Sequence, residues 1–237
     1  MDISSMTMDE FKAALAITKT VVLPFGTVEA HGTGLPLSTD TIAPVTVAEM
    51  AAQKMSILVA PPLHYGVCRS SLQHPGTMTI SFETLRSIAG ELIESFYAQG
   101  IRNILLLTGH GGSTQTPALI LAGDEALKRH PDLKIAVAEL SRVDRKGVLA
   151  LLETPNDNHA GEYETSLILA AAPNLVKAQP EASTHTRPDN VLVSDNLRYW
   201  PSAIDGDPSK ATIEKGIRLL SVLANGVCRL IRDLENS

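Results

Sequence analysis

The sequence predicts an α/β protein with a central, mostly parallel sheet that is covered by helices on both faces. Four short apolar runs are continuous rather than alternating, as expected for strands that are buried on both sides. Segments with helical spacing of apolar residues lie between these runs, and strand–helix alternation is typical of βαβ units. Together these observations predict a three-layer α/β/α arrangement.

The predicted strands are rich in β-branched and aliphatic residues, and each stands between segments of different character. We expect them at residues 20–25, 56–60, 103–108 and 134–138. The predicted helices carry apolar residues at spacings of three and four; in the third of them, Phe82, Leu85, Ile88, Leu92 and Phe96 recur and Gly100 ends the helix. We expect helices at residues 8–17, 41–54, 83–99, 116–129, 164–171 and 210–234.

Two regions show neither the continuous apolar runs of the predicted strands nor the apolar spacing of the predicted helices. Residues 141–163 are polar, and residues 173–209 contain Pro173, Pro180, Pro188, Pro201 and Pro208. Long irregular segments in compact domains usually contribute to function or contact a partner. Neither region resembles a flexible linker, so we expect a single domain over residues 1–237.

Composition excludes several classes of protein. The 237 residues include 26 Asp and Glu against 20 Lys and Arg, a formal net charge of −6, so a basic nucleic-acid-binding surface is not expected. Cys68 and Cys228 alone form neither a disulfide scaffold nor a cysteine-rich zinc module. With no signal-like N-terminus and no apolar run of about 18 residues, we expect no membrane association and a cytoplasmic location.

Three polar clusters stand where predicted strands end or a helix begins. The first two follow strands at 20–25 and 103–108, and the third precedes the helix at 164–171. Ligands bind beyond the carboxyl ends of the strands in open parallel sheets. The carboxylate and imidazole side chains in these clusters are Glu29, His31, Asp40, His110, His159, Glu162 and Glu164. Such a set suits Zn²⁺, Mn²⁺ or Fe²⁺ in a hydrolytic site, where two ions generate hydroxide and polarise a carbonyl.

Each cluster also has a simpler interpretation. Asp40 is placed to cap a helix, and the Gly-His-Gly-Gly loop at 109–112 could cradle an anion. His159 and Glu162 could be ordinary residues of a helix start. A non-catalytic ligand-binding module therefore remains an alternative of a different class. Cys68 has Arg69 beside it, which could lower its pKa, but a nucleophilic thiolate is the weaker hypothesis.

Over nearly its whole length the chain resembles the creatininase (creatinine amidohydrolase) family. The longest matching motifs run from Leu23 to Gly32 and from His159 to Ser166, and the others follow in the same order as in the family. The shorter matches are Leu35-Pro36, Thr39-Asp40, Tyr65-Gly66, residues 75–77, 109–112 and 206–208, Ala211-Thr212 and Lys215-Gly216.

The resemblance implies a dinuclear metal centre that hydrolyses a C–N bond of a cyclic amide or a related small amide. By position, Glu29, Asp40 and His110 correspond to ligands of one metal ion, and His31 and Asp40 to ligands of the other. His159 corresponds to the residue that exchanges a proton with the substrate. The family also implies two divalent ions per chain, with Zn²⁺ favoured over Mn²⁺ or Fe²⁺, and a homohexamer.

One position departs from creatininase itself. In creatininase a glutamate ligand lies two residues after the histidine that corresponds to His110, whereas this chain has Gly112 at that position. We expect Glu162 to supply the missing ligand and Glu164 to act in catalysis beside His159, although the two glutamates could exchange roles. The loop at 68–74 also differs, so the substrate need not be creatinine. Alternatives are an N-formyl pyrimidine and a small peptide that is trimmed at the same metal site.

Overall fold

The structure is a computed structural model that describes residues 1–188 and 190–237. Its sheet has the order β2-β1-β3-β4, and every neighbouring pair is parallel. The strands are β1 (Thr20–Phe25), β2 (Leu58–Val59), β3 (Asn103–Thr108) and β4 (Lys134–Glu139). The predicted strands are therefore confirmed, with β2 shorter than its apolar run because only two of its residues pair with β1.

Helices flank this sheet at the predicted places. In chain order they are α1 (Met8–Ile17), α2 (Thr39–Ala52), α3 (Phe82–Ala98), α4 (Gln115–Arg129), α5 (Arg145–Leu149), α6 (Glu162–Ala171), α7 (Asn196–Tyr199) and α8 (Ile213–Asn236). The short helices α5 and α7 lie in the two regions that the sequence predicts as irregular. None of the helices in the described ranges is long and apolar enough to cross a membrane.

The sheet has an apolar core on each face. Val22, Leu105 and Leu107 lie in the core that also contains the buried residues of α2, α6 and α8. Leu23 follows Val22 in β1, and Leu106 follows Leu105 in β3. Both of these leucines belong to the opposite core, with residues of α1, α3 and α4. Because successive strand residues point to opposite faces, the continuous apolar runs fill both cores. The three-layer α/β/α prediction is confirmed.

Two glycines let α2 begin close to the ends of β1 and β3. A methyl group at Gly26 would collide with Thr41, and one at Gly109 would collide with the carbonyl oxygen of Asp40. Side chains at either position would push the first turn of α2 away from the sheet. The glycines therefore hold Asp40 directly over the carboxyl ends of these two strands.

The first turn of α6 is held by a carboxylate from the preceding loop. Asp157 accepts hydrogen bonds from the backbone amides of Glu162 and Tyr163, both at 2.8 Å. A third backbone amide, that of Asp207, donates to the same carboxylate at 3.3 Å. Asp157 thus caps α6 and fixes the direction in which its first-turn side chains point.

Candidate metal centre

Four buried side chains and the partly buried Glu164 converge at the carboxyl edge of the sheet. Glu29 and His31 follow β1, His110 follows β3, Asp40 lies in the first turn of α2, and Glu164 lies in the first turn of α6. The convergence follows from the parallel topology, which brings the carboxyl ends of β1 and β3 side by side. The structure therefore brings together four of the five predicted metal ligands and one residue that the sequence assigned to catalysis.

Glu29, Asp40 and His110 form the first group of candidate ligands. Nδ1 of His110 lies 2.8 Å from Oε2 of Glu29 and 3.1 Å from Oδ2 of Asp40. All three side chains are almost completely removed from solvent. The imidazole that follows β3 thus contacts both the carboxylate that follows β1 and the carboxylate from α2.

His31, Asp40 and Glu164 form the second group. Nε2 of His31 lies 3.3 Å from Oδ1 of Asp40 and 3.7 Å from Oε2 of Glu164. Ligand atoms of these three residues all lie within 4.8 Å of one another. Asp40 belongs to both groups, and it faces each of them with a different carboxylate oxygen.

Hydrogen bonds from residues just outside the two groups orient the ligands. Nδ1 of His31 is 3.0 Å from the carbonyl oxygen of Glu29, so this nitrogen donates and Nε2 keeps its lone pair. The hydroxyl of Thr27 donates to Oδ2 of Asp40, and the hydroxyl of Ser71 donates to Oε1 of Glu29. Sequence reasoning missed Thr27 and Ser71. The only signal for Ser71 is its place in the 68–74 loop, which differs from creatininase.

The geometry of the two groups fits divalent metal ions. Tetrahedral or octahedral ligands about 2.1 Å from an ion lie roughly 3.0–3.5 Å apart, close to the separations seen here. Oε2 of Glu29 and Nε2 of His31 are buried without a hydrogen-bond partner in the described part of the chain. Although Oε2 of Glu29 is close to His110, the two atoms are not aligned as donor and acceptor, as expected for two ligands of one ion.

The carboxylates make the centre favourable for positive charge. Burial by itself lowers the pKa of His31, but Asp40 and Glu164 outweigh it and raise this pKa to about 10. Burial also lowers the pKa of His110, but Glu29 and Asp40 outweigh it and hold this pKa well above its usual value. Burial, more than any neighbour, raises the pKa of Glu164 to about 7.

His159 lies beside the second group and in the wall of the cavity. Its Nε2 is 2.9 Å from the carbonyl oxygen of Ala30, and its ring stacks on that of His31. The edge of the ring meets Trp200, with centroids 4.9 Å apart. Burial, followed by the effect of His31, lowers the pKa of His159 to about 4. These contacts fix the ring and leave Nδ1 as the nitrogen available to a ligand.

The structure does not bring Glu162 into the cluster, contrary to the expectation that it supplies the missing ligand. Its carboxylate forms an ion pair with Lys215 of α8 and accepts backbone hydrogen bonds from Glu153 and Thr154. Glu164 occupies the place beside His31 instead. Since residues two apart on a helix point in directions about 200° apart, only one of these glutamates can face the cluster.

Two other sequence interpretations change with the structure. Asp40 does not cap α2, because Ser38 holds the N-cap position and Asp40 bonds to Thr27 within the cluster. The thiol of Cys68 is buried, and burial together with the nearby carboxylates Glu29 and Asp40 raises its pKa. A reactive thiolate at Cys68 is therefore not supported.

A cavity of about 610 Å³ opens onto the cluster. Glu29, Asp40, His110, His159 and Glu164 all line it. Its volume is within the range of small-molecule sites, about 300–1,000 Å³. The cluster is thus accessible to a small ligand. Trp200, which belongs to the proline-rich region 173–209, is buried in this wall, where its indole N–H donates to the carbonyl of Ile204.

An α/β sheet with buried carboxylates and imidazoles at its carboxyl edge defines a class of metal-dependent hydrolases. The family model described as "Creatininase: Creatinine amidohydrolase" matches residues 4–231. The chain therefore belongs to the creatininase family, and the function class expected from the sequence, a metal-dependent amidohydrolase, is confirmed.

Individual relatives of known name align over most of the chain. The mycofactocin precursor peptide peptidase of Mycobacterium ulcerans is 28% identical over 228 residues, which cover 90% of this chain and 84% of that protein. The creatinine amidohydrolase of Pseudomonas putida is 25% identical and covers 98% and 96% of the two chains.

Solved creatininase structures also superpose on this one. A creatininase mutant of the Zn-Zn type has a TM-score of 0.90 and 25% identity, covering 98% of this chain and 97% of the other. A manganese form of creatininase has a TM-score of 0.88 with the same identity and coverage. These two neighbours are thus a zinc form and a manganese form of creatininase.

Proposed function

We propose that this enzyme hydrolyses the C–N bond of a small amide at a two-metal centre held by Glu29, His31, Asp40, His110 and Glu164. The position of Asp40 carries the proposal, because its two carboxylate oxygens face two separate groups of candidate ligands. One group would be Glu29, Asp40 and His110, and the other His31, Asp40 and Glu164. Zinc is the ion we favour, because imidazole and carboxylate donors suit it and a similar solved creatininase is of the Zn-Zn type.

When bound, two divalent ions would activate water near neutral pH and polarise the carbonyl of the scissile amide. The protein groups then have distinct tasks. Thr27 and Ser71 keep Asp40 and Glu29 in their ligand orientations through their hydroxyl hydrogen bonds. The carbonyl of Glu29 holds His31 in the tautomer that binds with Nε2.

His159 is the residue that we assign to proton transfer. Its Nε2 donates to the carbonyl of Ala30, and the stacked His31 ring and Trp200 restrict its rotation. Because burial and then His31 lower the pKa of this ring to about 4, Nδ1 carries no proton near neutral pH. Nδ1 would accept a proton from the attacking water and pass it to the departing nitrogen as the C–N bond breaks and the water oxygen joins the acyl carbon.

A small peptide is a second candidate substrate. The relative from Mycobacterium ulcerans is named as a peptide peptidase, and the cavity of about 610 Å³ is large enough for more than a single ring. Creatinine and N-formyl pyrimidines belong to the same amide class and remain substrates to test. The expectations of one domain over residues 1–237, a homohexamer and a cytoplasmic location stand as further parts of the proposal.

Metal analysis together with an amide screen tests the proposed function. Protein purified in the presence of zinc should hold about two ions per chain and hydrolyse at least one of creatinine, N-formyl heterocycles or short peptides. Glu29→Gln should lower both metal content and turnover, whereas Glu49→Gln on the outside of α2 should change neither. Less than about one ion per chain would overturn the metal centre, and light scattering at the 25.3 kDa monomer mass would overturn the hexamer.

A further inference from the structure

A small side pocket adjoins the main cavity on the side of Trp200. Its volume is about 90 Å³, roughly that of three water molecules in the liquid. Ser70, Asn158, Arg187, Trp200 and Asp205 line both spaces, so the pocket opens directly from the cavity above the metal centre. Trp200 is the shared wall, and its other edge packs on His159.

Three of the four guanidinium groups that line the cavity have no carboxylate partner in the described part of the chain. Arg69, Arg145 and Arg187 form no ion pair within residues 1–188 and 190–237, whereas Arg142 is paired with Glu139 at 3.1 Å. The other carboxylates that line the cavity either belong to the candidate metal centre or accept hydrogen bonds from protein donors, as Asp157 and Asp205 do. Unpaired guanidinium groups in a cleft are typical of sites that bind anions.

The acidic groups near the side pocket already have their own donors. Asp205 accepts from Asn158 at 2.9 Å and from Thr184 at 2.6 Å, one at each carboxylate oxygen. Within residues 1–188 and 190–237, Arg187 makes one long hydrogen bond, 3.4 Å from its Nη1 to the hydroxyl of Ser70. These described residues therefore leave most of the five N–H donors of this guanidinium to a ligand in the pocket.

The guanidinium and the small pocket together favour a small planar anion. The fork of N–H donors on Arg187 matches the two oxygens of a carboxylate, and a pocket of about 90 Å³ has room for this group. We propose that the side pocket binds a carboxylate of the substrate through Arg187, so that the enzyme hydrolyses small amides that also carry a free carboxylate. The hydrolysis in this inference rests on the proposed function, whereas the binding of a carboxylate by Arg187 does not.

The side pocket and the candidate metal centre open onto the same cavity. Ser70 contacts Arg187, and the next residue, Ser71, donates its hydroxyl to the candidate ligand Glu29. Trp200 connects the pocket to His159 on the other side. The carboxylate on Arg187 would thus orient the amide between the metal ligands and the proton carrier, which is the positioning that accelerates hydrolysis.

Paired probes test this inference on the metal-loaded enzyme. N-formylglycine is compared with N-formylglycinamide, and pyroglutamate with its carboxamide, by calorimetric titration and by hydrolysis. We expect the enzyme to bind each acid about 10- to 100-fold more tightly than the matching carboxamide, as for a charged hydrogen-bonded pair. Arg187→Gln should abolish this preference, and Arg187→Lys should restore part of it. An acid whose carboxylate binds only to the metal ions would still bind more tightly than its carboxamide in Arg187→Gln.

Arg218→Gln, an exposed change on α8 outside the cavity, is the matched control and should keep the preference. The inference is overturned if the wild type binds no acid probe, if it binds acid and carboxamide equally, or if Arg187→Gln retains the difference. Tighter binding of N-acetyl-O-phosphoethanolamine than of the acids would overturn the carboxylate in favour of phosphate. If no probe is hydrolysed but the Arg187-dependent preference is present, the proposed reaction fails and the carboxylate pocket stands.

Discussion

The imidazole rings of His31 and His159 stack with their centroids 4.2 Å apart and their planes inclined by 29°. A candidate metal ligand and the candidate proton carrier are therefore in direct contact. The contact between the rings restricts both of them. In addition, His31 donates a hydrogen bond to the carbonyl of Glu29, and His159 donates one to the carbonyl of Ala30.

His159→Ala should retain the metal ions and lose most of the turnover. Removal of a general acid typically costs about 10²- to 10⁴-fold, and the loss should lie in that range. Metal stoichiometry and hydrolysis are measured on the same preparation. If His159 is instead a ligand, the variant should lose about half of its metal, and unchanged turnover would eliminate both roles.

Asp40→Asn should reduce the occupancy of both metal sites more than any other single ligand change. Asparagine keeps the shape of the side chain but removes the charge that both groups of ligands share. Asp124→Asn on the exposed face of α4 is the control and should leave metal content unchanged. Circular dichroism confirms folding, and a folded Asp40→Asn protein with two bound ions would contradict the bridging position.

The two glutamates of α6 should respond in opposite ways. Glu164→Gln should lower metal content with little loss of stability, because its carboxylate faces His31. Glu162→Gln should leave metal content unchanged and destabilise the fold by about 3 kcal/mol, since it breaks a largely buried ion pair with Lys215. Metal analysis and urea unfolding distinguish the variants, and the reverse pattern would return Glu162 to the metal site.

Glu162 should also make stability depend on pH. Burial raises its pKa, but Lys215 and two backbone amides outweigh burial and hold this pKa below its usual value of 4.5. The stabilisation is therefore complete above pH 4.5 and is lost as the pH falls through the folded-state pKa. The unfolding free energies of wild type and Glu162→Gln should converge as the pH is lowered below 4.5. A constant difference across that range would contradict the assignment.

Gly109→Ala should weaken metal binding from outside the set of ligands. The added methyl group collides with the carbonyl of Asp40 and must displace the first turn of α2, at a cost of about 1–3 kcal/mol. Gly90→Ala in α3 is the matched control, because a methyl group there meets no atom within 4 Å. The control should be neutral or more stable by about 1 kcal/mol. Equal metal affinity in both variants would exclude positioning by Gly109.

The sequence predicts the parts of this molecule that local patterns determine. Strands β1 and β3 stand out as continuous apolar runs, and Glu29, His31 and His110 follow them so closely that the parallel topology alone brings them together. Local patterns do not show which of the two glutamates of α6 faces the metal centre. The ion pair of Glu162 joins it to Lys215, which is 53 residues further along the chain. The hydrogen bonds to Asp157 and the packing of α8 against α6 together decide which glutamate turns away from the site.

Trp200 illustrates the same limit. An aromatic residue in a proline-rich segment is compatible with an interface, and its sequence neighbours do not indicate burial against His74 and His159. The segment reaches the cavity through contacts with the 68–74 loop, where His74 Nε2 donates to the carbonyl of Trp200 at 2.6 Å. Such contacts between distant loops have no local signature.

Gly112 has an evolutionary consequence. A Cβ atom at this position would overlap the ring of His110, so no side chain can be introduced here while that ring keeps its orientation towards Glu29 and Asp40. A single Gly112→Glu replacement would thus disturb one candidate ligand as it adds another. Positions 110 and 112 are epistatic, and a chain of this type could acquire a glutamate there only through a coordinated change that first relocates the imidazole.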